Sequence, residues 1–121
     1  MPDQSKQQES KHQSRQDSQS QQKEDQSPMV RYHIFVRGRV QGVFYRKHTV
    51  QAAKARGVCG YVRNMPDGRV ELVAEGRKAD VDSLVQWCYV GSPKSAVEGV
   101  DVAVMEGNSA ECTFTAFDVR H

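Results

Sequence analysis

The chain has 121 residues with 17 Lys and Arg against 15 Asp and Glu, a formal net charge of +2. That balance excludes both the strongly basic composition of a polyanion binder and an acidic solvating tail. No window approaches the roughly 20 consecutive apolar residues of a membrane-spanning helix.

Residues 1–28 contain nine Gln and six Ser and no Val, Ile, Leu, Phe, Tyr or Trp. Such a segment cannot bury enough apolar surface to offset the entropy of ordering it, so a disordered Gln/Ser-rich tail is expected over residues 1–28. It lacks the apolar stretch of a secretory signal and the Arg-rich, acid-poor character of a mitochondrial presequence, and a soluble, cytoplasmic protein is expected.

Tyr32, Ile34 and Val36 alternate with His33, Phe35 and Arg37, which is strand periodicity, and the strand runs into a turn at Gly38. From Tyr45 to Arg56 the period changes. Tyr45, Thr49, Ala52 and Ala53 fall on one helical face, and Gly57 is a natural stop. Val58, Gly60 and Val62 form a second strand, Met65-Pro66-Asp67-Gly68 supplies turn chemistry, and Val70, Leu72 and Ala74 return as a third. A second amphipathic helix carries Val81, Leu84, Val85 and Cys88 and ends near Gly91 and Pro93, with Trp87 partly buried beside its apolar stripe. Val100, Val102 and Val104 make a fourth strand. A last strand is expected to include Phe114, Ala116, Phe117 and Val119, with less regular alternation.

This order predicts an α+β fold over residues 29–121: a ferredoxin-like two-layer sandwich, βαββαβ with an extra strand, with two helices on one face of a mostly antiparallel sheet. Right-handed crossovers place the strand that carries Asn64 parallel to the first strand, with the third strand between them. Asn64 thereby comes near Arg46 despite 18 residues of separation.

The stretch Val36-Arg37-Gly38-Arg39-Val40-Gln41-Gly42-Val43-Phe44-Tyr45-Arg46 sets a glycine-bearing basic turn between a strand and a helix. Its glycines allow close backbone approach, and the helix start adds unpaired N–H groups and the positive end of a dipole. Arg46, in the first turn, supplies a planar cation able to hold two oxygens of one phosphoryl group. Taken alone, this turn is equally a plain β-to-α connection, and Asn64 alone reads as a turn residue.

Together, Val36-x-Gly38-x-Val40-Gln41-Gly42-Val43-x-Tyr45-Arg46 and Gly60-Tyr61-Val62-Arg63-Asn64-x-x-x-Gly68-x-Val70, followed by Gly76, resemble both signatures of the acylphosphatase family. The resemblance covers about residues 30–121. Arg46-Lys47 and Gly91-Ser92-Pro93-Lys94-Ser95 look like its animal-type branch. It implies metal-independent hydrolysis of a carboxyl-phosphate bond without a cofactor. Arg39, Val40, Gln41, Gly42, Val43, Phe44, Tyr45 and Arg46 would form the phosphate loop, with Arg46 binding phosphate and Asn64 positioning the attacking water. Met65 stands where some members carry Thr, and Tyr45 where Phe is common.

The chemistry agrees with that picture. Phosphoryl transfer mainly needs positioning and charge stabilisation, and a carboxylate leaves without protonation, so no general acid is required. The expected partners are a small acyl phosphate and inorganic phosphate, as product and competitor; a monomer that binds neither nucleic acid nor membrane is expected. His12, His33, His48 and His121 show no metal-ligand spacing. Cys59, Cys88 and Cys112 are odd in number and widely spaced, which reads as reduced, buried or half-buried thiols. An RNA-binding sandwich would need an aromatic-rich internal strand, whereas Val70-Glu71-Leu72-Val73-Ala74-Glu75 offers acids and aliphatics. The related module of hydrogenase-maturation proteins comes with long cysteine-paired extensions, which this sequence lacks.

Overall fold

A computed structural model describes residues 28–105 and 113–121. The expected tail, apart from Pro28, and Cys112 lie outside the described residues. Strand β1 (Met29–Arg39) leads to helix α1 (Tyr45–Ala55), strands β2 (Cys59–Asn64) and β3 (Val70–Arg77), helix α2 (Lys78–Val90), and strands β4 (Ala96–Val104) and β5 (Phe117–Arg120). The sheet order is β4-β1-β3-β2-β5. β3 runs antiparallel to both β1 and β2, which makes those two parallel, and β5 lies parallel to β2. This is the ferredoxin-like α+β sandwich with an added edge strand.

Alternation in β1 buries Tyr32, Ile34 and Val36 against the helices, where they meet Tyr45, Ala52 and Ala53 of α1 and Val81, Leu84 and Cys88 of α2. Trp87 packs at the margin of this core, its ring 5.5 Å from that of Tyr45. Neither described helix is long and apolar enough to cross a membrane.

Two boundaries differ from expectation. β4 begins at Ala96, because Gly38 and Arg39 continue the ladder across a bulge and pair with Val97 and Ala96. β5 begins at Phe117, and Phe114 and Ala116 precede it. The amides of Thr113 and Phe114 donate to the Glu75 carboxylate instead of to a neighbouring strand, which delays the ladder.

The sheet face away from the helices carries a second set of interactions. Glu71 is paired with His33 at 2.6 Å and with Arg63, and Glu75 with Arg31 and Thr113. Burial alone would raise both carboxyls, but hydrogen bonds from His33 and Arg63 to Glu71, and from Thr113 and Arg31 to Glu75, hold them below the usual range. Cys59 is half-buried and Cys88 buried, and burial pushes the Cys88 thiol up to about 12, leaving it protonated at neutral pH.

A depressed folded-state carboxyl stabilises the fold above the unfolded value, and that contribution is lost as pH falls through the folded value. Denaturant midpoints should therefore be flat near neutrality and decline once pH drops below about 4.5, the unperturbed value for these groups. Glu71→Gln should lower the neutral midpoint and flatten the decline, as measured by urea unfolding at a series of pH values. Gly60 gives a backbone test. Its φ is 141°, and a Cβ there would overlap the carbonyl of Val73 on β3. Gly60→Ala should destabilise the protein by about 2–4 kcal/mol in the same assay.

Candidate active site

The ends of β1 and β2 and the start of α1 meet around a cleft of about 440 Å³. Val40, Gly42 and Phe44 line it from the β1–α1 loop, Tyr45, Arg46 and Lys47 from the first turn of α1, Asn64 from the end of β2, and Val119 from β5. Arg46 and Asn64, 18 residues apart, are thus brought to one cavity.

The loop is shaped by left-handed backbone. Gly42 has φ 76°, a conformation glycine adopts at little cost, and Phe44, with φ 61°, ends the loop in the same region without a side-chain cap on α1. Phe44 is 71% exposed, so it holds an unfavourable backbone angle without burying its ring. The result is a helix start whose first turn carries no acidic side chain and no side-chain cap and borders the cleft. Its free N–H groups and the Arg46 guanidinium suit the cleft to a compact oxyanion.

Several residues of this stretch are tied to other parts of the fold. Arg39 completes β1, opposite Ala96. The Val43 carbonyl accepts from the Ser92 hydroxyl at 2.8 Å, tying the loop to the end of α2. Tyr45 is only 1% exposed, and its hydroxyl donates to the Cys88 carbonyl at 2.8 Å. Burial in this setting pushes the phenol well above its ordinary value, so it stays neutral and structural.

Gln41 links the two halves of the site. Its Nε2 donates to the Met65 carbonyl at 2.8 Å and the Arg69 carbonyl at 2.9 Å, and the Met65 N–H donates to Arg69 O at 2.8 Å. One side chain thereby fixes the β1–α1 loop against the turn that follows Asn64. Asn64 Oδ1 is buried and has no hydrogen-bond partner among the described residues. A buried orphan acceptor costs about 1–3 kcal/mol unless something fills it, and a water or ligand in the cleft would do so.

Sequence reading missed the contribution of β5. Val119 lines the cleft, and His121 Nδ1 lies 3.4 Å from Arg46 Nη1. Nothing in the alternation of this stretch signals that it pairs with β2, because an added edge strand is set by tertiary packing. Among the described residues no three His, Cys, Asp or Glu side chains converge as a metal-ligand set.

The acylphosphatase family model matches residues 32–118. An acylphosphatase from the archaeon Haloquadratum walsbyi is 57% identical over 77 residues, covering 64% of this chain and 83% of that protein. One from Rubrobacter xylanophilus is 50% identical over 90 residues, covering 74% and 79%. The crystal structure of acylphosphatase from Bacillus subtilis superposes with a TM-score of 0.71 at 35% identity, covering 76% of this chain and 99% of that one. The chain belongs to the acylphosphatase family, and with it to the hydrolases of acyl phosphates. These relatives are archaeal and bacterial, and they do not support the animal-type assignment that Arg46-Lys47 and Gly91–Ser95 suggested.

Removing the Gln41 amide should loosen the hairpin turn from the loop. Gln41→Ala should lower turnover of an aromatic acyl phosphate about tenfold or more by displacing Asn64 relative to Arg46. It should cost only about 1–2 kcal/mol in urea unfolding. Unchanged turnover would show that the link is dispensable.

Proposed function

We propose that this protein cleaves the carboxyl-phosphate bond of small acyl phosphates by in-line attack of a water held by Asn64, on a phosphoryl group held by Arg46 and the loop of residues 39–45. The observation that carries this reading is the buried, unpartnered Oδ1 of Asn64, in the same cleft as Arg46 and the bare start of α1.

In this reading the loop and α1 N–H groups bind the equatorial phosphoryl oxygens, where transition-state charge lies, and Arg46 forms a bidentate contact to two of them. Asn64 Oδ1 accepts from the attacking water, orienting its lone pair toward phosphorus. The asparagine adds no negative charge near the phosphate, as a carboxylate would. Val40, Phe44 and Val119 offer apolar surface to the acyl group. The departing carboxylate is a weak base, so it leaves without a general acid, consistent with a cleft that no Asp or Glu lines among the described residues. The same cradle binds inorganic phosphate, so product competes with substrate.

The two central residues should separate on mutation. Arg46→Ala should weaken phosphate inhibition and lower turnover together, by about a hundredfold or more. Asn64→Ala should leave the phosphate inhibition constant near normal while turnover collapses, because the cradle survives without its water. The check is steady-state hydrolysis of an aromatic acyl phosphate with phosphate as inhibitor, after circular dichroism confirms folding. Retention of more than about a third of turnover in Asn64→Ala would sink the assigned role. Activity should also persist in excess chelator; its loss, with recovery on adding a divalent ion, would replace this mechanism with a metal-assisted one.

A further inference from the structure

The turn after α2 sets a hydroxyl against the back of the β1–α1 loop. Ser92 is 2% exposed, and its hydroxyl donates to the Val43 carbonyl at 2.8 Å. The mount of that hydroxyl is fixed. The Gly91 N–H donates to the Trp87 carbonyl at 2.9 Å, and the Ser92 carbonyl accepts from both the N–H and the hydroxyl of Ser95, at 3.0 and 2.7 Å. A trans peptide is planar, with its C=O and N–H pointing in opposite directions. The hydroxyl that holds the Val43 carbonyl toward α2 therefore turns the Phe44 N–H to the other side of the loop. Phe44 lines the cleft, whereas Val43 and Ser92 do not.

The opposite orientation of this peptide is the locally easier one. Turning the peptide plane over rotates ψ of Val43 and φ of Phe44 by about half a turn, which takes Phe44 from φ 61° into the negative range that a residue with a Cβ favours. It also aims the Val43 carbonyl at the cleft, where its partial negative charge repels an oxyanion. Phe44 is the one non-glycine residue with positive φ among the described residues. Strain and hydroxyl thus act on the same peptide in opposite directions. Resting on the reading of the cleft as an oxyanion site, we propose that Ser92 is a positioning residue for that site: its hydroxyl holds the Val43–Phe44 peptide in the strained orientation in which the Phe44 N–H donates to the bound anion. Ser92 itself touches no substrate. Tyr45, whose hydroxyl donates to the Cys88 carbonyl at 2.8 Å on the same end of α2, holds the next residue in place and confines any relaxation to this one peptide.

The probe is inorganic phosphate, as a competitive inhibitor of aromatic acyl phosphate hydrolysis by the full chain. Ser92→Ala should weaken phosphate inhibition about threefold to tenfold and lower turnover about tenfold to a hundredfold, because one donor to the anion is turned away in most molecules. A second substitution separates this role from simple packing. Glycine adopts positive φ freely, so in a Phe44→Gly chain the required orientation no longer opposes strain, and Ser92→Ala should there weaken phosphate inhibition by less than about twofold. Isotopic labelling of the amides of the four phenylalanines gives a direct reading. Phosphate should move the Phe44 amide resonance strongly in the unmodified chain and little in Ser92→Ala. Normal phosphate inhibition in folded Ser92→Ala, or an equal loss in the Phe44→Gly background, overturns the proposal. If the unmodified chain hydrolyses acyl phosphate and is inhibited by phosphate while its Phe44 amide does not respond, only this inference fails. If phosphate neither inhibits nor moves that amide, the reading of the cleft fails with it.

Discussion

Strand β3 hydrogen-bonds to β1 along one edge and to β2 along the other, and everything at the cleft depends on that double pairing. Two strands antiparallel to a shared neighbour must run parallel to each other, so the carboxyl ends of β1 and β2 emerge at the same edge of the sheet. One end continues into the loop and α1; the other ends at Asn64. β3 is buried along nearly its whole length, and moving it by one residue would turn its apolar side chains onto the wrong face. The register that protects the core also sets the separation of the two elements that border the cleft.

Strand pairing positions backbones, and a few side-chain bonds then fix the loop to finer tolerance. Ser92 holds Val43 from the end of α2, Tyr45 is anchored to the Cys88 carbonyl, and Gln41 reaches both sides of the β2–β3 turn. Each contact joins segments far apart in sequence, and each uses the loop as a rigid body between α2 and the hairpin. Phe44 is kept in a left-handed conformation by this clamping, which leaves the first turn of α1 open toward the cleft. The costs of strain, an uncapped helix and an orphaned Asn64 oxygen fall on the same few residues. Functional sites commonly carry such local violations because the surrounding structure over-determines them.

The opposite sheet face is built on a different principle. Glu71 and Glu75 are held under arginines and His33, so β3 carries acids on one face and core aliphatics on the other. In the sequence those acids argued against an RNA-binding sheet, and in the fold most neighbouring cations have partners. Arg31, Arg63 and His33 are engaged by the buried carboxylates and Arg37 by Asp101. Arg46 and Lys47, at the start of α1, have no carboxylate partner among the described residues and line the cleft.

The sequence determined most of the elements because two periodicities, 2 and 3.6, write burial into residue order: Tyr32-Ile34-Val36 for β1, and Tyr45-Thr49-Ala52-Ala53 for the buried face of α1. It also determined the pairing of Arg46 with Asn64, since the order of strands and helices and the handedness of crossovers leave few ways to connect them. The tertiary structure alone decided what joins the loop to the hairpin through Gln41, that the Tyr45 hydroxyl is bonded to the Cys88 carbonyl, and that β5 brings Val119 to the cleft and His121 beside Arg46. An amide that reaches two carbonyls across the fold leaves no periodic trace. Neither does an added strand whose first residues donate to a buried carboxylate, because both depend on where distant backbone groups come to rest after the core has packed.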